Sequence, residues 1–315
     1  MKFKLLIAVL LVSLLVNAAG VTFFAVYWHR KAQVAQLKKQ KDELAHQLNI
    51  IQLAGAALPE LLAPARLSRQ VFISHADNQP DCFALAPTAV NAPKGNITLI
   101  VYLHGMNGDY LEPFRFPKNK PLGPVLIDRF PTALILSCNY RQQASFGNDL
   151  ALSDISQNIR QICLQYPIKK IILVGTSMGG MTVLNYGAVA PSDIQEKICG
   201  IVSIEGTGDL LKLYDATNVD SIRAALVKAF GGTPKQLPQI YKNHSFIYNI
   251  RRLPSRIKVC VISSTRDSIV PPSLQDDVIT ALEKNRNPNK LVRLGSAHVF
   301  VPDNVILDGI DFVNQ

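Results

Sequence analysis

Cysteine is scarce and scattered: Cys82, Cys138, Cys163, Cys199 and Cys260 include no C-x-x-C pair, and none has a histidine at metal-ligand spacing. A structural zinc site is disfavoured on that ground, and a buried small hydrophobe is the expected role of Cys138 and Cys260, which lie in apolar runs. The chain also lacks internal repeats and low-complexity tracts, so neither a solenoid nor a disordered polymer describes it. After residue 55 no Lys/Arg-rich run is interleaved with aromatics, which argues against nucleic acid as a partner.

What is present begins with apolar residues, 48% of 315, enough for one large α/β core. The net charge of +10 is unevenly placed. Residues 1–55 hold seven Lys/Arg against two acids, so half of the excess flanks one apolar segment. From Leu5 to Trp28 only Ser13, Asn17 and Thr22 interrupt the apolar run, a length that crosses a bilayer as a helix. Lys2 and Lys4 precede it, and Tyr27 and Trp28 close it as interfacial aromatics. Val16-Asn17-Ala18 would suit signal cleavage, but the run continues through Val26, which favours an uncleaved signal anchor over residues 1–29. Arg30, Lys31, Lys38, Lys39 and Lys41 would hold the following flank in the cytoplasm, whereas the signal-like start directs export. The expectation is a single-pass membrane protein with its catalytic part exported.

Residues 30–69 read as a helical stalk and linker. Val34, Leu37, Leu44, Leu48 and Ile51 form a heptad-like seam, interrupted by Lys41, that would support at most weak self-association through 34–51. Ala54-Gly55, Pro59 and Pro64 then break the helical pattern.

Residues 70–315 alternate short apolar runs with stretches of helical period, the mark of a mostly parallel sheet with helices on both faces. The expected strands are Ile97–Leu103, Ala133–Ser137, Ile171–Val174, Ile201–Ile204, Val259–Ser263 and Leu291–Leu294, with helices over 149–165, 178–190 and 273–285. Val71–Ile73 and Cys82–Leu85 are candidates for an antiparallel pair at the leading edge. Some fifty residues separate Ile204 from Val259, too many for one crossover, so a cap insertion is expected at about 206–256.

Chemistry concentrates at Gly175-Thr176-Ser177-Met178-Gly179-Gly180, a G-x-S-x-G between an expected strand and helix. A sharp turn there exposes the serine, and side chains at Gly175 and Gly179 would collide with backbone. His104-Gly105 follows another strand, where amides can approach an oxyanion closely. The N–H groups of Met106 and Met178 are the expected donors, with His104 bracing the loop. Of the histidines after Ser177, His298 follows the last strand and is the expected base, while His244 sits in the insertion. Asp267, after Val259–Ser263, is the expected orienting acid; Glu205 and Asp209, after Ile201–Ile204, are the competitors.

His104-Gly105, Gly175–Gly179, Asp267 and His298, in this order after these strands, resemble the α/β-hydrolase superfamily across residues 70–312. The Asp-x-x-Val-Pro form at 267–271, with Tyr241 and Ser245, resembles the esterase and prolyl-oligopeptidase-like branches. A propeller-sized amino-terminal domain is missing, and Ser245-Phe246 stands where a Ser-Pro pair would be expected. The resemblance implies a serine esterase acting on a small acyl ester through an acyl-enzyme, with no metal or organic cofactor. Peptide or amide cleavage, acyl transfer, and an inactive membrane-tethered binding protein are the alternatives.

Overall fold

The computed structural model describes residues 67–87, 97–115, 122–298 and 301–315, together with Lys31, Gln33, Val34 and Gln36. The chain divides into two units, Met1–Pro59 and Glu60–Gln315. In the first unit the four described residues are helical. The apolar run at 5–28 and the rest of the seam, Leu37 to Ile51, lie outside the described residues. Among the described residues no helix is long and apolar enough to cross a membrane.

The second unit is built on eight strands: β1 (Ser68–Ile73), β2 (Pro80–Pro87), β3 (Ile97–Leu103), β4 (Ala133–Cys138), β5 (Ile168–Thr176), β6 (Ile198–Ile204), β7 (Lys258–Ser264) and β8 (Asn289–Leu294). They form one sheet in the order β1-β2-β4-β3-β5-β6-β7-β8. β2 runs antiparallel to both neighbours, and β3 to β8 are mutually parallel. The edge pair is therefore antiparallel, as expected, although β1 starts at Ser68, ahead of the expected boundary at 70.

The helices are α1 (Leu122–Arg129), α2 (Asp149–Gln165), α3 (Met178–Val189), α4 (Ser192–Gln195), α5 (Leu210–Ala216), α6 (Asp220–Phe230), α7 (Pro238–Asn243), α8 (Phe246–Asn249), α9 (Pro272–Lys284) and α10 (Asp303–Asn314). Consecutive residues of a strand point to opposite faces. On β6, Gly200 lies under Val313 of α10, while its neighbour Ile201 packs against Gly187 of α3. The sheet is thus covered on both sides, which is why Ile171-Ile172-Leu173-Val174 is apolar without alternation and wholly buried. Each such side chain stabilises the fold by roughly 1.5–3 kcal/mol relative to exposure.

Four helices, α5 to α8, occupy the insertion between β6 and β7. Tyr241 is fully buried there and its hydroxyl donates to the Gly232 carbonyl at 3.0 Å. Ser245 Oγ donates to the Tyr241 carbonyl at 2.7 Å and accepts from the Leu210 N–H at 2.9 Å. Both residues hold the insertion together.

The β1–β2 turn is tied to α2 by Arg141. Its guanidinium reaches Asp77 at 2.6 Å and Ser74 Oγ at 2.6 Å, and pairs with the wholly buried Asp154. The five cysteines are all free. Burial pushes the thiols of Cys82 and Cys138 up to about 12 and that of Cys260 up to about 11.

Candidate active site

Parallel pairing brings the carboxyl ends of β3, β5, β6, β7 and β8 to one edge of the sheet. Leu103 pairs with Gly175, Thr176 with Ile204, Ile204 with Ile262, and Ser264 with Leu294. Whatever follows these residues shares that edge. His104, Ser177, Glu205, Asp267 and His298 all follow them.

Ser177 stands between β5 and α3 at φ 53 and ψ −111, outside the regions open to ordinary L-residues. Its N–H donates to the Ile204 carbonyl at 2.7 Å, so β6 anchors the turn. A Cβ on Gly179 would lie 2.0 Å from the Leu103 carbonyl oxygen, and one on Gly175 would lie 2.3 Å from that of Gly179. Those two approaches explain the glycines on either side of the serine.

Asp267 is buried, and its Oδ1 accepts the N–H groups of Ile269 and Val270, each at 2.9 Å. Its Oδ2 lies 2.6 Å from His298 Nδ1. A carboxylate so placed accepts, which assigns the proton to Nδ1 and leaves Nε2 bare in the neutral ring. Nε2 lies 2.9 Å from Ser177 Oγ and can accept its proton. The histidine loop is stitched to the aspartate loop: Thr265 N–H donates to the Leu294 carbonyl at 2.8 Å, and Arg266 N–H to that of Ser296 at 3.1 Å.

The structure separates the two competing acids. Asp209 caps α5, accepting from the N–H groups of Leu211 and Lys212 at 3.0 and 3.2 Å. Glu205 Oε2 reaches 3.7 Å from His298 Nδ1, farther than Asp267. His244 lies elsewhere, with Nε2 3.2 Å from Asp149 and its ring edge-on to Phe230. Glu205, Asp267 and His298 offer ligand atoms within 4.8 Å of one another. The 2.6 Å spacing between Asp267 and Nδ1 is that of a hydrogen bond, too short to admit an ion between them.

The loop after β3 passes beside the serine: a Cβ on Gly105 would sit 3.7 Å from that of Ser177. The Gly105 N–H is held by the Glu112 carboxylate at 3.0 and 3.1 Å, and Asn107 N–H by the Gln143 carbonyl at 2.8 Å. The N–H groups of Met106 and Met178 have no acceptor among the described residues. His104 is fully buried, with ring nitrogens 2.7 Å from the Gly105 carbonyl and 3.0 Å from that of Asn139. The Tyr140 ring packs against it at 4.5 Å and its hydroxyl donates to the His104 carbonyl at 2.6 Å. His104 therefore braces the loop.

Residues 98–241 match the family model described as the alpha/beta hydrolase fold. Among solved structures, a puromycin-hydrolyzing peptidase of Mycobacterium tuberculosis superposes with a TM-score of 0.63 at 18% identity, covering 78% of this chain and 38% of its own. A fluorophosphonate-binding serine hydrolase of Staphylococcus aureus, with substrate bound, gives 0.63 at 13% identity, covering 80% of this chain and 99% of its own. The S-formylglutathione hydrolase of the same organism gives 0.62 at 14% identity, with 80% and 99% covered. Identities this low speak for fold. This chain is an α/β-hydrolase in fold. Comparison with curated proteins by sequence gives no match.

Three buried or half-buried groups around this site carry no signal in the sequence. Glu112 joins Gly105 to the Tyr102 hydroxyl, which donates to it at 2.7 Å and lies 3.0 Å from Thr176 Oγ1. Desolvation pushes the Glu112 carboxyl above its ordinary 4.5 and the Tyr102 phenol well above 10. Tyr140 is the third. An acid in a glycine-rich loop reads as solvated, so only β3 and β5 side by side reveal Glu112 as a strut between nucleophile strand and loop.

Proposed function

We propose that this chain is a serine hydrolase that cleaves carboxylic esters through an acyl-enzyme, with Ser177 as nucleophile, His298 as general base and acid, and Asp267 orienting the imidazole. The observation that carries the reading is the unbroken line Asp267 Oδ2, His298 Nδ1, His298 Nε2, Ser177 Oγ, at 2.6 and 2.9 Å. As Oγ attacks the substrate carbonyl, its proton passes to Nε2 and the imidazolium is stabilised by the carboxylate on Nδ1. The carbonyl oxygen gains the negative charge, which the N–H groups of Met106 and Met178 would receive, the latter at the positive end of α3. The proton on Nε2 then goes to the leaving alkoxide, and a water activated by the same nitrogen releases the acid and regenerates Ser177. No step calls for a metal or organic cofactor.

Acyl transfer from oxygen or sulfur is supported by the fold likeness to the S-formylglutathione hydrolase, of which this chain spans 99%, whereas it spans 38% of the puromycin-hydrolyzing peptidase. Amide cleavage is the second reading, supported by that peptidase's fold likeness. The anchor belongs to the proposal too: residues 5–28 would hold the enzyme to a membrane, with the stalk 30–69 setting the catalytic unit off the bilayer on the exported side.

A fluorophosphonate probe is the direct test. Covalent labelling of Ser177 in the folded protein is expected; folded protein that resists the probe would instead favour a tethered binding role. Rates on short- and long-chain esters against peptide amides then decide the substrate class, and faster amide cleavage would overturn the ester reading. Carbonate extraction of membranes, with a reporter fused after residue 315, checks the anchor and its orientation.

A further inference from the structure

We infer that Glu205 is a second positioning acid for His298, sharing the Nδ1 side of the imidazole with Asp267. The inference rests on the relay proposed above and deepens it. Glu205 is wholly buried at the end of β6, one strand closer to the nucleophile than Asp267. Its backbone sits at φ 51, a strained conformation for a side-chain-bearing residue, and its N–H is fastened to the Ile262 carbonyl at 2.8 Å. Strain kept at a buried acid needs compensation, and the side chain shows where it is aimed. Oε2 points at Nδ1 from 3.7 Å, while Oε1 accepts the Ser264 hydroxyl, which is itself 2.8 Å from Ser296 Oγ in the histidine loop.

Two consequences follow from charge and place. When the Ser177 proton arrives on Nε2, the positive ring faces two carboxyl groups instead of one. Asp267 takes the hydrogen bond and Glu205 adds field at close range, inside a water-poor site where screening is weak. Through Ser264 and Ser296 the same acid also fixes the loop that carries the ring. The groups facing the imidazole are Asp267 from the β7 loop, Glu205 from the end of β6 and the Ser177 hydroxyl. Among the described residues, no Lys or Arg makes a hydrogen bond or ion pair with it.

A merely structural Glu205 would tie Ser264 and leave the titration of His298 alone. The test is therefore an NMR titration of the His298 ring in full-length protein carrying Ser177→Ala, with and without Glu205→Gln. Glutamine keeps the volume and still accepts from Ser264, and near-UV circular dichroism checks that packing survives. The expected result is a fall of the His298 midpoint by about one pH unit or more when the charge is removed. With Ser177 intact, the low-pH limb of fluorophosphonate labelling moves the same way. An unmoved midpoint overturns the inference. The NMR titration requires no turnover, so wild-type protein that failed to label would sink the hydrolase reading separately and still leave Glu205 decided.

Discussion

At Ser177 the backbone and the chemistry make the same demand. The turn at φ 53 costs conformational energy, and the N–H bond to Ile204 together with the close approaches at Gly175 and Gly179 keep it in place. Ser177→Ala retains the Cβ and the glycines, so turnover on the best ester is expected to drop by about a thousandfold or more, with a thermal midpoint within a few degrees of wild type. An active alanine variant would mean another nucleophile. Gly179→Ala acts differently, because its Cβ would meet the Leu103 carbonyl at 2.0 Å, backbone that cannot rotate away. Urea unfolding should show a loss of about 2 kcal/mol or more, and labelling should slow as α3 and the loop after β3 are pushed apart.

Among elements, the strands carried the clearest sequence signal and the insertion the poorest. Continuous apolar runs marked β3 to β7 because the sheet there is covered on both faces, and Val71–Ile73 with Cys82–Leu85 marked the edge pair. The helices expected over 149–165, 178–190 and 273–285 stand at Asp149–Gln165, Met178–Val189 and Pro272–Lys284; α2 and α9 show one buried face, whereas α3 is buried on nearly every side. The helices α5, α7 and α8 are at most seven residues long, shorter than two turns, so no period could reveal them. The helix α10, whose buried face carries Ile306, Ile310 and Val313, was not among the expected helices. The order of Ser177, Asp267 and His298 was legible because G-x-S-x-G marks the serine and expected strands precede the acid and the histidine. The burial of Glu112 and Glu205 was not, since it depends on partners such as Ser264, fifty-nine residues away. Arg141 belongs to this scale as well, because it joins the β1–β2 turn to α2. Arg141→Ala strands the buried Asp154 charge and should cost about 3 kcal/mol or more in urea unfolding, with Arg141→Lys recovering only part of it.

Over the whole molecule, stability should respond to pH through His244. Burial lowers its affinity for a proton below the ordinary 6.5, with Asp149 opposing weakly. As pH falls through 6.5 the unfolded chain takes up a proton that the folded one resists, so stability present above that value is lost on acidification. Urea midpoints measured from about pH 7.5 down to about 5.5 should decline, and His244→Gln should flatten the slope. A slope unchanged by the substitution would remove His244 from the balance.

The free, buried thiols described with the sheet carry one more consequence. Oxidants and reductants act on exposed thiolates, and three of the five sulfurs are pushed two or more pH units above their ordinary 9.0. Melting curves with and without dithiothreitol should coincide. The described unit is held by packing, hydrogen bonds and ion pairs alone, so its stability should not follow the redox state of its surroundings.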